Sequence, residues 1–223
     1  MMTKAASTSK VDVILPDFLK PRLCESLIRL GNVNDGGYLV NSRDINISTG
    51  LLSFGVCDDW SFESEFYEKK SVPIYAFDGS ISLNFWIKKV LSAISTRRFF
   101  KVLDYFRFKK FFKGDKYFIP SFIGYSGISG YLSLQEALHK IKGSDEKVFL
   151  KIDIEGWEYR ILNDVIENAE KLSGVVIEFH NIDLHMDRIS SFVTNFPLNV
   201  VHVHANNCSS LSPDGLALCI EVT

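Results

Sequence analysis

Residues 147–159 read KVFLKIDIEGWEY. Val148, Phe149, Leu150 and Ile152 form a short apolar run broken by Lys151, the pattern of a strand covered on both faces. The run ends in Asp153 and Glu155, two positions apart, so both project from the same sheet edge. Gly156 then opens a stretch with helical spacing, GWEYRILNDVIENAEKL. A carboxylate in such a place is unfavourable without partners, which marks the edge as a candidate site. The plainer alternative is that Glu155 caps the helix near Trp157 while Asp153 is solvated.

The same alternation extends in both directions. Upstream, LLSFGV (51–56) and PIYAFD (73–78) read as strands around a helix, WSFESEFYEKK, and a further helix begins at Ile81. KYFIPSFIG (116–124) reads as a strand and SLQEALHKIKG (133–143) as a helix. Downstream come strand GVVIEFH, helix HMDRISSFVTNF, strand LNVVHVHA and a last strand near LALCIEV. Strands separated by helices of this length predict an α/β, Rossmann-like domain with a mostly parallel sheet and helices on both faces. The 223 residues suit one such domain, 1–223. Within it, residues 1–50 carry a helix at Leu19–Leu30, ended by Gly31, then the turn Asn34-Asp35-Gly36-Gly37 and a strand at Tyr38–Asn41. Residues 84–116 read as a basic, aromatic helical insertion.

Hydrophobic residues at 46% and charged residues at 23% are ordinary globular usage and exclude collagen-like or low-complexity classes. Cys24, Cys57, Cys208 and Cys219 form no metal or redox spacing. No stretch is apolar enough to span a bilayer and the start lacks a secretory pattern, so the expectation is a cytoplasmic protein, with peripheral membrane contact as an option. The net charge of -2 is uneven: Lys88–Phe118 holds ten basic residues against two acids, so it carries +8 and the rest -10.

In SFGVCDDWSFE (53–63) a buried strand turns through Gly55 toward a helix, a place where backbone approaches a ligand and N–H groups stand free. A tight turn without a ligand is the plainer reading. Asp78 follows about twenty residues later at the next strand's end, where a carboxylate accepts hydrogen bonds from ribose hydroxyls; the alternative is a helix cap at Ser80–Ser82. Two later strands add Glu178 and His180, then His202 and His204, followed by Asn206 and Asn207. His202 and His185 read as core residues, whereas His180 and His204 stand at strand ends.

Taken in order, RLGNVNDGGYLV, LLSFGVCDDWSFESEF, IYAFD, KIDIEGWEYRIL, VVIEFH and a late H-x-N-N resemble the FkbM-type S-adenosylmethionine-dependent methyltransferases, from about Arg29 to Asn207. The resemblance implies a class I methyltransferase fold with a seven-stranded sheet, and O-methylation of a sugar, glycan or related small molecule. It also implies that Asp35, Gly36, Gly37, Tyr38, Phe54, Gly55 and Asp58 line the methionine end of S-adenosylmethionine and that Asp78 holds its ribose. Asp153 would sit by the transferred methyl, with Glu155, Glu178, His180 and His204 around the acceptor. The chain departs from the family at Cys57, more often glycine, and at Gly79, often proline. A cysteine fits there if its φ stays negative, at the expense of crowding the cofactor.

Two ways of activating a hydroxyl follow. His204 or His180 acts as general base, or Asp153, Glu178 and His204 hold Mg²⁺ or another divalent cation that acidifies it; the histidine base is slightly preferred. The basic insertion reads as an interfacial helix on anionic lipid, as a phosphate grip, or as a packed insertion whose 97–113 stretch meets the core or a second subunit. A lipid-linked or phosphorylated glycan acceptor reconciles these readings, and nucleic acid is disfavoured because the basic run is confined to one insertion. The rival functions are a non-catalytic Rossmann nucleotide- or glycan-binding module and a nucleotide-sugar glycosyltransferase using Asp153 and Glu155 as a metal-binding pair.

Overall fold

The computed structural model describes residues 13–33, 36–95, 103–141 and 147–223. A hairpin of β1 (Leu27–Leu30) and β2 (Tyr38–Asn41) leads through α1 (Ser42–Ile47) into β3 (Gly50–Phe54), α2 (Ser61–Lys69) and β4 (Ile74–Phe77). The insertion supplies α3 (Leu83–Ser95) and α4 (Asp104–Phe111) before β5 (Lys116–Ile119). A two-stranded parallel ribbon, β6 (Phe122–Ile123) with β7 (Tyr131–Leu132), precedes α5 (Leu134–Leu138) and β8 (Val148–Ile152). Then follow α6 (Leu162–Glu167), β9 (Leu172–His180), α7 (Met186–Asn195), β10 (Val203–Ala205) and β11 (Cys219–Val222).

The central sheet runs β10-β11-β9-β8-β3-β4-β5. Counting its seven strands along the chain, the order is 3-2-1-4-5-7-6, with the seventh antiparallel to both neighbours and the others pointing one way. This is the Rossmann-like order of class I methyltransferases. Alternation decides which face each strand residue covers. Leu52, Phe54, Leu150, Ile152, Ile177 and Phe179 pack with Leu134, Val165 and Ile189 from α5, α6 and α7. Leu51, Phe149 and Val176 face the other way, onto Phe62 and Phe66 of α2 and onto Tyr38 and Val40 of β2.

The N-terminal helix expected at Leu19–Leu30 is not formed. Asp17–Leu19 makes one 3-10 turn, and Leu27–Leu30 is extended, paired antiparallel with Tyr38–Asn41. The i, i+4 spacing of Leu23 and Leu27 was coincidental, since Leu23 faces solvent. Pro16 and Pro21 also break the segment. The helix expected from Gly156 is broken into a 3-10 turn at Glu158–Arg160, the short α6, and another 3-10 turn at Ala169–Lys171.

The insertion divides its aromatics. Phe108 and Trp86 are buried in a cluster of their own with Trp60, Tyr105, Phe112 and Phe118, so the packed reading holds for them. Phe106 and the α3 residues Leu83, Ile87, Leu91 and Ile94 stay exposed. Arg97, Arg98 and Lys101 lie outside the described residues. Among the described residues, no helix is long and apolar enough to cross a membrane. Truncating Phe108 to alanine removes the centre of this cluster and should lower stability by about 3–5 kcal/mol. Leu91→Glu, on the exposed side, should change stability by no more than about 0.5 kcal/mol. Urea unfolding of both variants checks this; equal midpoints would mean that the insertion is not joined to the core.

Candidate functional site

The strand order reverses at β3, whose neighbours are β4 and β8, and open α/β sheets bind ligands beyond the strand ends at such a switch point. The crevice here is held shut at its floor by backbone. Gly55, at φ +77°, lies so close to β8 that a Cβ would fall 1.5 Å from the Asp153 carbonyl oxygen. Strand packing alone therefore requires glycine at this position, which also lines the cavity. Above it opens a cavity of about 690 Å³, lined by Asn32, Val33, Gly36, Val56, Asp58, Asp59, Lys151, Asp153 and Glu155 among others. A smaller, mainly apolar cleft of about 200 Å³ lies beside the start of β9, against α7 and away from these groups.

Local structure sets the rim. Asp59 precedes α2, and its Oδ1 accepts from the Ser61 N–H at 2.9 Å, so one of the leading N–H groups of that helix is taken. Asp59 Oδ2 accepts from Asn32 Nδ2 at 2.5 Å, tying the chain just after β1 to the loop after β3. Asp58 is held by the Lys89 ammonium of α3; burial raises its pKa, but Lys89 outweighs that and leaves the carboxyl below the usual range. Asp78 Oδ2 accepts from the Cys57 N–H at 2.7 Å, and Oδ1 from the Ser80 N–H and hydroxyl at 2.8 and 2.6 Å. It thus fastens two loops, and it does not cap α3, which begins at Leu83 with the Phe85 N–H donating to Ser82 Oγ at 3.2 Å. Oδ2 keeps one acceptor site, since a carboxylate accepts about four bonds in all.

Cys57 has φ +47°, against the requirement that it stay negative. Glu155 (+55°) and Asn181 (+50°) are the other non-glycine residues with positive φ among those described, and the three follow β3, β8 and β9. Such strain, of order 1–3 kcal/mol each, gathers where function constrains backbone. Burial, with Asp58 beside it, pushes the Cys57 thiol up to about 11, so it stays protonated. Gly79 is explained by its neighbour: a Cβ would lie 2.3 Å from the Phe122 ring, which excludes proline.

Beneath the rim lies a buried acid–base layer. The Lys151 ammonium donates to the Gly55 carbonyl at 3.0 Å and stands 4.0 Å from both Glu63 Oε1 and Asp153 Oδ2. Tyr38 hydroxyl lies 2.9 Å from Asp153 Oδ2 and from Glu178 Oε2, and its single proton serves one at a time. Glu178 Oε1 also accepts from Asn206 Nδ2 at 2.7 Å and the Cys219 thiol at 2.9 Å. Burial raises Asp153 to about 6, moderated by Lys151. His180 Nδ1 bonds Glu158 Oε1 at 3.0 Å, while Nε2 lies 3.5 Å from Glu155 Oε2 and 3.9 Å from Glu178 Oε1. Burial alone lowers the imidazole, but the Glu158 bond and the surrounding carboxylates win and raise it to about 9.

The expected set is thus brought together in part. Gly36, Gly55, Asp58, Asp153 and Glu155 line the cavity, and Tyr38, Glu178 and His180 adjoin it from below. Phe54 does not line it: the ring is wholly buried on the opposite face, edge-on to Phe77 at 5.4 Å. Gly37 packs inside the turn, where a Cβ would meet the Asn32 carbonyl at 1.9 Å. Asp35 lies outside the described residues. Asp153, Glu178 and His204 do not gather as a ligand set; the groups whose donor atoms lie within 4.8 Å are Asp153, Glu155 and His180, and Glu178, His180 and Cys219. His204 sits on β10 with Nε2 against Asn207 Nδ2 at 3.2 Å.

Lys151, Glu63, Glu158 and Asp59 were not anticipated. Lys151 was legible, being two positions before Asp153 and so on the same strand face. Glu158 is wholly buried, folds back onto the Ile154 and Gly156 N–H groups at 3.2 and 3.1 Å, and carries His180; the sequence shows no more than an acid one turn past Gly156.

No protein-family model and no curated protein matches the chain. Among solved structures it is similar to precorrin-6y C5,15-methyltransferase from Geobacter metallireducens GS-15, at 14% sequence identity, with 81% of this chain and 82% of that chain covered and a TM-score of 0.45.

Proposed function

We propose that the chain is an S-adenosylmethionine-dependent methyltransferase of FkbM type that methylates a hydroxyl of a sugar, glycan or related small molecule. One observation carries the reading: the 690 Å³ cavity stands at the switch point of a 3-2-1-4-5-7-6 sheet, with Asp153 on its wall. Its volume falls within the roughly 300–1,000 Å³ of small-molecule sites. The lining is mainly acidic and suits a ligand with a cationic group, which Asp59 and Asp153 can face, while Lys151 and Asp58 are already engaged, by Glu63 and Asp153 and by Lys89. Asp78, at the end of β4 with one acceptor site left, suits a ribose hydroxyl.

Bound there, S-adenosylmethionine supplies an electrophilic methyl on a sulfonium. The protein's part is to place a hydroxyl in line with that methyl and to take its proton. His180 is unsuited to the second task, because a pKa of about 9 keeps it an imidazolium at neutral pH. His204 is outside the cavity lining. Asp153 lines the cavity, and at about 6 it is ionised at neutral pH yet basic enough to accept a proton. Asp153 is therefore assigned as the general base, in place of the histidine first preferred. Tyr38 and Lys151 orient its carboxylate, and the Glu158-held imidazolium balances Glu155 and Glu178.

A divalent cation is the less favoured route to the same end. Asp153, Glu155 and His180 could ligate one, but His180 would have to give up its proton to do so, and the Lys151 ammonium 4.0 Å from Asp153 repels a cation. The glycosyltransferase alternative needs such a metal at Asp153 and Glu155 and is disfavoured on the same ground.

Calorimetric titration with S-adenosylmethionine and S-adenosylhomocysteine should give micromolar binding that Asp78→Ala weakens. Binding of a nucleotide sugar instead would support the glycosyltransferase, and binding of neither would support the non-catalytic module. With an acceptor in hand, Asp153→Asn should lower turnover by roughly a hundredfold or more while leaving cofactor affinity nearly intact. Because the base must be unprotonated, kcat/KM should fall as pH drops through about 6. A limb in the ordinary carboxylate range, or none, would remove Asp153 from that role. Activity should survive EDTA, and loss restored by Mg²⁺ or Mn²⁺ would shift the role to a cation.

A further inference from the structure

Beyond the cavity, α3 carries an exposed apolar row. Leu83, Ile87, Leu91 and Ile94 are spaced by four, four and three residues, which puts them in one stripe along the helix. They are 67%, 47%, 61% and 50% exposed. The opposite side is fully used: Trp86 and Ala93 are buried, and Lys89 is engaged by Asp58 and, at 3.3 Å, by Asp104. Single exposed aliphatics need no explanation, but an aligned row of four does. Leu103 and Phe106, at the start of α4, add exposed apolar side chains of 50% and 65%. Lys88 of α3, Lys109 and Lys110 of α4 and Lys113 just beyond it are exposed cations of the same insertion. The two acids of this region are already paired, Asp104 with Lys89 and Arg107, Asp115 with Lys116.

We infer that α3 and the start of α4 form a docking surface for an anionic lipid bilayer, which the apolar row enters at headgroup depth. The chemistry of the surface selects this occupant. A row of exposed aliphatics on one helix, with exposed lysines on it and on the helix that follows, matches an acyl–headgroup boundary with anionic lipid. A second copy of the chain would set cationic rims against each other, and nucleic acid would leave the aliphatic row unsatisfied. The surface is also joined to the cavity. Lys89, on the inner side of α3, pins Asp58 at the cavity wall, and α3 begins three residues beyond the Ser80 hydroxyl that Asp78 holds. On the methyl-transfer reading, the Lys89–Asp58 link between this surface and the cavity wall favours an acceptor hydroxyl carried on a lipid.

The test is flotation of the full chain with phosphatidylglycerol–phosphatidylcholine vesicles and with phosphatidylcholine vesicles, without cofactor. Binding to the anionic vesicles, weakened by salt, is expected. Leu91→Glu should reduce it roughly tenfold or more, and Ile87→Glu likewise. Lys109→Glu with Lys110→Glu should reduce it without touching the apolar row, and circular dichroism melts show that each variant is folded. Wild type that ignores anionic vesicles at low salt overturns the inference, as does binding that survives both kinds of variant. A concentration-dependent dimer that Leu91→Glu dissolves, without vesicle binding, would reassign the row to a subunit interface. Cofactor titration needs no lipid and flotation needs no cofactor, so failure of one leaves the other standing.

Discussion

A lysine ammonium with only 4% of its side chain exposed has to be compensated, and at Lys151 that compensation joins the three elements that make the crevice. Its one close hydrogen bond is to the Gly55 carbonyl, which belongs to the loop after β3. Its nearest anions are Glu63 from the first turn of α2 and Asp153 from the end of β8. Glu63 is wholly buried, and burial lifts its pKa even with Lys151 and Ser53 holding it. Removing one member of such a buried set leaves an uncompensated charge, typically worth about 3–5 kcal/mol. The missing Cβ of Gly55 completes the arrangement by letting the two strand ends touch through backbone. Position and electrostatics of Asp153 are therefore set by the same few contacts that set the fold around it.

Two carboxylates at neighbouring strand ends acquire different characters because their partners differ. Glu178 accepts from Asn206 Nδ2 and the Cys219 thiol, with the Tyr38 hydroxyl also within reach. Asp153 shares only Tyr38 and a lysine at 4.0 Å, so burial dominates and raises it. One acid is consumed by structure and the other is left for a proton. The same logic turns His180 from an expected base into a fixed cation, because Glu158 grips Nδ1 and three more carboxylates surround the ring.

Legibility in the sequence followed the range of the interactions involved. Strand β8 and its acidic edge, the glycine turn after β3 and the alternation around them are written in local periodicity, so the sheet was read correctly. The region 19–30 misled because a helical spacing arose by chance where the hairpin partner, Tyr38–Asn41, lies beyond local view. Phe54 misled differently: it adjoins the loop in sequence, but strand alternation turns it to the far face. Glu158, Glu63 and Asp59 were invisible because the partners that give them their roles, His180, Lys151 and Asn32, lie far off in the chain.

Cys57 and Gly79, where the chain departs from the sequence pattern it resembles, are both accommodated by neighbours. Cys57 takes a left-handed conformation that glycine would adopt freely, and in doing so aims its N–H at Asp78. The strain of a non-glycine residue is offset by a hydrogen bond to a carboxylate, a strong class of bond. At Gly79 the space a proline ring would fill is taken by Phe122, whose ring stacks in turn near Tyr131 at 5.4 Å. Cys57 and Gly79 flank the same carboxylate, Asp78, one through its N–H and the other through the chain. A change at either position would be felt first in the orientation of Asp78, which ties local backbone choice at the loop after β3 to whatever Asp78 holds beyond it.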